Sequence, residues 1–433
     1  MERRQVLQGF GAVAGLAACS VAAYPLMTTV TMAQGSGLGE NRLVVVILRG
    51  AMDGLDVVRP VGIAEYAALR PNQTPGALPL TGPFALHPSL SGLMGLWQTG
   101  QLGFVHATAT PYRDKRSHFD GQSMLEAGTG MDVAVGATRD GWLNRMLQAV
   151  PGLRSETAYA IGREALPLLE GDGPSLSWTP EVKLRLSVQS RRLLEMIYHD
   201  DPLFRDSAAE AMQISEDLRA SRIMGRAAGK GMMAGSGSGS GSGAGAKSFA
   251  DIDRLVDFAA GRLKAETRIA AFSLSGWDTH SGQAQAIRSP LEQLQRVILR
   301  LRDQSGADVW GRTTLMAMTE FGRTARENGT GSFNMIVGRD GRTLRENGTG
   351  GTDHGTGGLM VMAGGALRGG QVYGRWPGLA EADLYDRRDL LPTSDVRGWA
   401  AWAMRGLYGV ERPVLETAVF PGLDMGDDPR IIL

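Results

Sequence analysis

The sequence predicts an α/β fold: a mostly parallel central sheet with helices on both faces and one helical insertion. Three observations carry this expectation. Residues 43–48 are an unbroken apolar run of leucine, valine and isoleucine, too uniform for a strand with one wet face and suited to a central strand buried on both sides. Further short apolar runs at 103–106, 268–274, 313–318 and 359–363 fall between stretches whose apolar residues recur at helical spacing. Strand, helix, strand alternation is the pattern of a sheet built by crossover connections.

Taken from the start, Arg3 and Arg4 precede a Gly/Ala-rich apolar stretch at 6–23, the layout of a twin-arginine export signal. Residues 1–34 are therefore set aside as a leader read by the twin-arginine translocase, and the product is expected to be periplasmic or secreted. Leu16-Ala17-Ala18-Cys19 also reads as a lipoprotein box that would leave a lipid anchor on Cys19, and a cleavage site near Met32-Ala33-Gln34 reads equally well. Residues 35–433 form the α/β domain. Its first strand, 43–48, ends at Arg49-Gly50; helices are expected at 117–128 and 142–150. Apolar spacing over 181–224, broken at Asp200-Asp201-Pro202, predicts two amphipathic helices within an insertion at 181–228. The Gly/Ser/Ala run at 229–246 has too few side chains to bury and is expected to be a flexible loop. Helices at 252–265, 290–303 and 394–408 complete the list. A decapeptide starting at Gly322 recurs at Gly341 with Leu344 as its single change; the duplicated segment, 322–350, is polar and Gly-rich and is expected to be a surface loop.

Composition removes several functions. The 433 residues carry 45 basic and 45 acidic side chains, a net charge of zero, which argues against nucleic acid as a partner because such binding rests on neutralising phosphates. Cys19 is the single cysteine and lies in the leader, so no disulfide, Cys-based zinc site or cysteine nucleophile is expected in the mature domain. A metal must then be held by His, Asp and Glu.

Residues of those types follow the expected strand ends, where open α/β sheets gather their ligands. Asp278 and His280 follow the strand at 268–274, Glu320 follows 313–318, and Asp353-His354 precede 359–363. Asp278, His280 and His354 make a three-ligand set of the kind used by hydrolytic metal ions; singly, each reads equally well as a polar loop group capping a helix. Arg113, Lys115 and Arg116 open a helix at Ser117-His118, a cationic helix start suited to a tetrahedral anion. Ser117 is either an oxygen nucleophile or the helix cap. Asp53 leaves the first strand in an Asp-Gly pair and is either a sheet-edge ligand or a turn residue. His87, His106 and His199 read as structural.

These motifs together resemble the exported bacterial family known as domain of unknown function 1501, itself similar to the alkaline phosphatase and sulfatase superfamily. The carriers are residues 43–55, Arg116 to Asp120, Gly276-Trp277-Asp278-Thr279-His280, Thr319-Glu320-Phe321-Gly322-Arg323, and the Gly-rich segment around Asp353-His354. The resemblance implies one metal on Asp278, His280 and His354, a second on Asp53 and Glu320, and Ser117 as nucleophile, with Asp353 a further candidate ligand. Phe321 stands where the second site's histidine is expected, Asp53 sits beyond the usual strand-end position, and the Asp-x-His spacing is tight, so one metal site is expected rather than two, filled by zinc, calcium or magnesium. The expected activity is hydrolysis of phosphate or sulfate esters, on a small-molecule or glycan substrate, with Ser117, His118, Arg116 and Arg323 as catalytic residues. The alternative is a non-catalytic periplasmic member of the fold that binds an envelope glycan or a partner protein.

Overall fold

The computed structural model describes residues 37–113, 115–132, 140–162, 164–179, 243–329, 334–337, 343–346 and 350–433. The expected leader, the helical insertion at 181–228 and the Gly/Ser run up to residue 242 lie outside them. Among the described residues no helix is long and apolar enough to cross a membrane.

One large sheet organises the chain. Its strands are β1 (Arg42–Arg49), β2 (Leu102–Ala109), β3 (Ala158–Ile161), β4 (Leu176–Trp178), β5 (Ile269–Ser275), β6 (Thr313–Met318), β7 (Gly358–Ala363), β8 (Gln371–Tyr373) and β9 (Ser394–Asp395). The order is β8-β2-β7-β6-β1-β5-β3-β4, with β9 also on β2. β1 lies parallel to β5 and β6, and the remaining pairings are parallel except those of β7, which runs antiparallel to both β2 and β6. The mostly parallel sheet predicted from the sequence is thus what forms.

β1 shows why. Val44, Val46 and Leu48 point into one apolar core and Leu43, Val45 and Ile47 into the other, so alternate side chains enter opposite layers and no polar face remains. Five helices matter to the layering: α1 (His118–Ala127), α2 (Trp142–Ala149), α3 (Gly243–Leu263), α4 (Arg288–Ser305) and α5 (Val396–Tyr408). Val256 and Leu263 of α3 and Leu291, Leu294 and Leu301 of α4 fill the first core. Leu143 and Met146 of α2 and Ala400, Met404 and Leu407 of α5 fill the second. The ends of α1 and α5 carry the expected chemistry: Ser117 and Asp395 accept amide bonds at the N-termini, and Gly128 and Gly409, at φ of 65° and 68°, turn the chain out at the C-termini.

The structure departs from the expected elements in three places. α3 begins at Gly243, inside the Gly/Ser run expected to be loop through 246, and stops at Leu263. Ser394–Asp395 pair with Thr108 and Ala109 as β9 before α5 starts. The first copy of the decapeptide is not a surface loop: Arg323, Thr324, Ala325, Glu327 and Asn328 are all buried. Polar residues can be buried when their groups find partners, and the Arg323 guanidinium donates to Thr352 and Asp278. Within the second copy, Thr343–Glu346 pairs antiparallel with Asn334–Val337.

His106 on β2 and His87 are fully interior, as their structural reading requires. His106 Nε2 lies 2.9 Å from the Val58 carbonyl, and burial pushes its imidazole down to about 4 and that of His87 down to about 3. Because the unfolded chain takes up these protons near pH 6.5 while the native chain does not, native stability is complete above that value and is lost as pH falls toward 4. Each histidine contributes a slope of up to about 1.4 kcal/mol per pH unit in that window. Urea midpoints measured from pH 7 to pH 4 are expected to fall accordingly, and a His106→Asn variant to lose part of the slope; an unchanged slope would show that this imidazole is not held neutral.

Candidate metal centre

The polarity of β7 determines what meets at the sheet edge. In β1, β5 and β6 the C-terminal ends point to that edge, whereas antiparallel β7 brings its N-terminal end there. Asp278 and His280, just after β5, therefore meet Glu320 and Arg323, just after β6, and Asp353 and His354, just before β7. Bonds from the Thr352 amide to the Thr279 carbonyl at 3.1 Å and from the Gly355 amide to the Gly322 carbonyl at 2.8 Å tie these segments together. Such close approach requires glycine: a Cβ at Gly351 would stand 2.1 Å from the His280 carbonyl carbon, and one at Gly355 would stand 2.4 Å from that of Arg323. The Gly-rich run before β7 is thus a packing surface for two other loops.

Three imidazoles enter this junction, each with Nδ1 at an acceptor. His118 Nδ1 is 2.7 Å from Glu320 Oε1, His280 Nδ1 is 3.1 Å from Asp353 Oδ1, and His354 Nδ1 is 2.9 Å from the Arg116 carbonyl. All three Nε2 atoms then face Asp278 Oδ1, at 3.4 Å from His118, 2.9 Å from His280 and 3.2 Å from His354. The Nε2 atoms of His280 and His354 are 3.0 Å apart. Phe321 stacks on His118 with centroids 5.2 Å apart and closes the back of the pocket.

Charge in the junction is concentrated on Asp278. Burial pushes its carboxyl up, but hydrogen bonding with His118, His354 and Arg323 outweighs burial and holds it well below the usual carboxylate range. Arg323, fully buried on its side chain, reaches the same oxygen at 2.7 Å. The Asp278 and Glu320 carboxylates in turn push the His118 imidazole up to about 9. Glu320 stays ionised although buried, since bonding with His118, Gln122 and the Gly50 amide outweighs desolvation.

The residues fit a metal ion. His118, Asp278 and His354 each offer a ligand atom within 4.8 Å of the other two, and His280 Nε2 borders two of the three. His118 Nε2 is buried, and its 3.4 Å approach to Asp278 Oδ1 falls short of a full hydrogen bond, which is costly for a polar atom unless a ligand engages it. Histidine ligands of metals carry their other ring nitrogen on a carboxylate or carbonyl, the arrangement all three imidazoles have.

Most residues nominated from sequence meet here, some of them in other roles than expected. Asp278, His280 and His354 present ligand atoms. Glu320 and Asp353 stand behind imidazoles, and His118, nominated as catalytic, turns a nitrogen to the junction. Arg116 has a left-handed backbone, φ 51°, that delivers its carbonyl to His354; such strain in a non-glycine residue recurs at functional sites. Its guanidinium, 38% exposed, comes no nearer than 4.0 Å to Asp389. Ser117 caps α1, its Oγ accepting from the Asp120 amide at 3.3 Å, so the capping reading holds whatever further role it has. Asp53 is elsewhere: it is buried, with Arg70 on both oxygens at 2.6 and 3.1 Å and Gln283 on one at 3.0 Å. The guanidinium takes the place a second cation would need. Gln122, Thr319 and Thr352 were not nominated, although Gln122 lies one helical turn beyond His118 and so on the same face of α1.

Solved structures similar to this chain share little sequence with it. Lipoteichoic acid synthase LtaP from Listeria monocytogenes is 8% identical, with 89% of this chain and 77% of that chain covered and a TM-score of 0.39. Alkaline phosphatase from the Antarctic bacterium TAB5 is 9% identical, covering 75% and 91%, with a TM-score of 0.30. The C-terminal periplasmic domain of EcEptC from Escherichia coli, in complex with zinc, is 9% identical, covering 76% and 75%, also with a TM-score of 0.30. Among curated proteins none matches. The family model described as protein of unknown function DUF1501 matches residues 40–400, and the chain belongs to that family.

Proposed function

We propose that the protein is a metal-dependent hydrolase of phosphate or sulfate esters working at a single ion held by His118, Asp278 and His354, with His280 as a fourth donor. The observation that carries this reading is the convergence of three imidazole Nε2 atoms on Asp278 Oδ1, with each Nδ1 already engaged. Imidazoles with one carboxylate suit zinc or a neighbouring transition ion; calcium and magnesium take shells of oxygen. Zinc is the ion we assign. It would supply Lewis acidity toward the ester oxygens.

The protein's own groups support the rest. Of the cations at the junction, Arg323 is committed to Thr352 and Asp278 and Arg113 to the Thr110 and Tyr112 carbonyls. Arg116 makes no side-chain hydrogen bond among the described residues and is partly exposed, so it is the arm that would hold an anionic ester. Ser117 lies between Arg116 and His118; its Oγ accepts from the Asp120 amide and bonds with the Tyr112 hydroxyl, which still leaves a lone pair for attack. We further propose export through the twin-arginine translocase, with a small-molecule or glycan ester met in the periplasm.

Three experiments test this. Elemental analysis of purified protein is expected to give about one zinc per chain, lost in Asp278→Asn, while His354→Ala abolishes ester turnover and stays folded; a folded, metal-free wild-type protein would refute the reading, and zinc without turnover of any ester would favour the binding-module alternative. Arg116→Ala is expected to lower kcat/KM by about 10²–10³, the range for removing one transition-state donor, with zinc content unchanged; equal kcat/KM would remove Arg116 from anion binding. Arg70→Met, which strands the buried Asp53 carboxylate, is expected to cost about 3–5 kcal/mol of stability and leave zinc content unaltered; loss of zinc would instead bring Asp53 into the centre.

A further inference from the structure

The first strand ends in Arg49-Gly50, and neither residue touches the ligand atoms, yet both lead to His118. Gly50 donates its amide to Glu320 Oε1 at 2.9 Å. Arg49 donates to Gln122 Oε1 at 2.8 Å, and Gln122 Nε2 donates to the same Glu320 Oε1 at 3.0 Å. That oxygen also faces His118 Nδ1 at 2.7 Å. Arg49 is itself fixed, by Glu126 at 2.8 Å and Glu164 at 3.1 Å. His118, Gln122 and Glu126 follow one another at four-residue steps on α1, so they form one stripe along the helix and face the ends of β1 and β6 together.

The chemistry of the donors allows one arrangement. A guanidinium has no acceptor, so Gln122 must turn its oxygen to Arg49 and its NH2 group to Glu320. An ionised carboxylate only accepts, so its contact with His118 requires a proton on Nδ1. In the neutral ring that holds a metal ion, a proton on Nδ1 leaves Nε2 as the lone-pair nitrogen. We propose that Gln122, oriented by Arg49, is a positioning residue for the metal centre: it holds Glu320 in the one orientation that keeps the His118 proton on Nδ1 and presents a bare Nε2 to the ion. This rests on the reading of His118 as a ligand. Without the Gln122 amide, Glu320 keeps the Gly50 bond on Oε1 and the 3.0 Å Thr319 contact on Oε2, but loses the side-chain donor that shares Oε1 with the imidazole and so is held less firmly toward it.

The test uses the full chain, zinc affinity by competition with a chromophoric chelator, and long-range 1H–15N spectra of histidine-labelled, zinc-loaded protein, which report the tautomer of each ring. Gln122→Met matches the volume and removes both bonds; Gln122→Glu keeps the acceptor for Arg49 and carries the test if the first variant does not fold. Zinc binding about tenfold weaker, the low end of the range for partners behind a ligand, together with a displaced or broadened His118 Nδ1–H signal while His280 and His354 keep theirs, is the expected result. Wild-type affinity and an unchanged His118 signal in a folded variant would overturn the role of Gln122 and leave the metal centre standing. A wild-type protein that binds no zinc would overturn the centre and this inference together.

Discussion

The sheet edge is organised around one carboxylate oxygen. Asp278 Oδ1 lies within 3.4 Å of three imidazole nitrogens and 2.7 Å from a buried guanidinium. Three imidazoles and a guanidinium do not gather on one oxygen by their attraction to it alone; each is held from behind. Glu320, Asp353 and the Arg116 carbonyl fix the three rings, and Thr352 fixes Arg323. The junction is therefore preorganised by bonds directed away from it, and the atoms facing inward are those left over for a ligand.

That organisation depends on topology. Loops after parallel strands deliver Asp278, His280, Glu320 and Arg323, whereas His354 and Asp353 arrive by the opposite route, on the approach to antiparallel β7. At 351 and 355 the backbone lies so close to that of His280 and Arg323 that a Cβ would clash, which explains glycine there. The Gly-rich composition of this segment is thus explained by contact with His280 and Arg323 rather than by mobility.

How much of this could be read from the sequence follows from the range of the interactions concerned. β1 and β6 were legible because burial on both faces leaves an unbroken apolar run, and α1 because Ser117 and Gly128 mark its ends. β3, β4 and β8 were not, since strands of three or four residues carry too short a pattern. Asp278, His280 and His354 were legible because metal-ligand residues at strand ends are a local signal. The placements of His118 and Asp53 were not: whether a histidine turns Nε2 into the junction depends on Glu320, two hundred residues away, and whether an aspartate is left free there depends on whether an arginine such as Arg70 reaches it first. The buried first copy of the decapeptide was misread for the same reason, since its Arg323 is satisfied by Thr352 and Asp278 and its Glu327 by Asn72, which no local window contains.

The charges also bear on how many ions the junction can hold. Asp278, Glu320 and Asp353 bring three negative charges, and Arg323 cancels one; a single dication would cancel the rest, leaving a neutral centre with Arg116 at its rim. A second dication would add two uncompensated charges in a partly buried pocket, where desolvation is costly, unless another carboxylate joined, and the nearest candidate from sequence, Asp53, is already neutralised by Arg70 at 2.6 Å. The buried Asp53–Arg70 pair thus limits the site as well as bracing the fold. With the centre balanced, the surplus positive charge falls on Arg116, on the side where an incoming anion would first meet the protein.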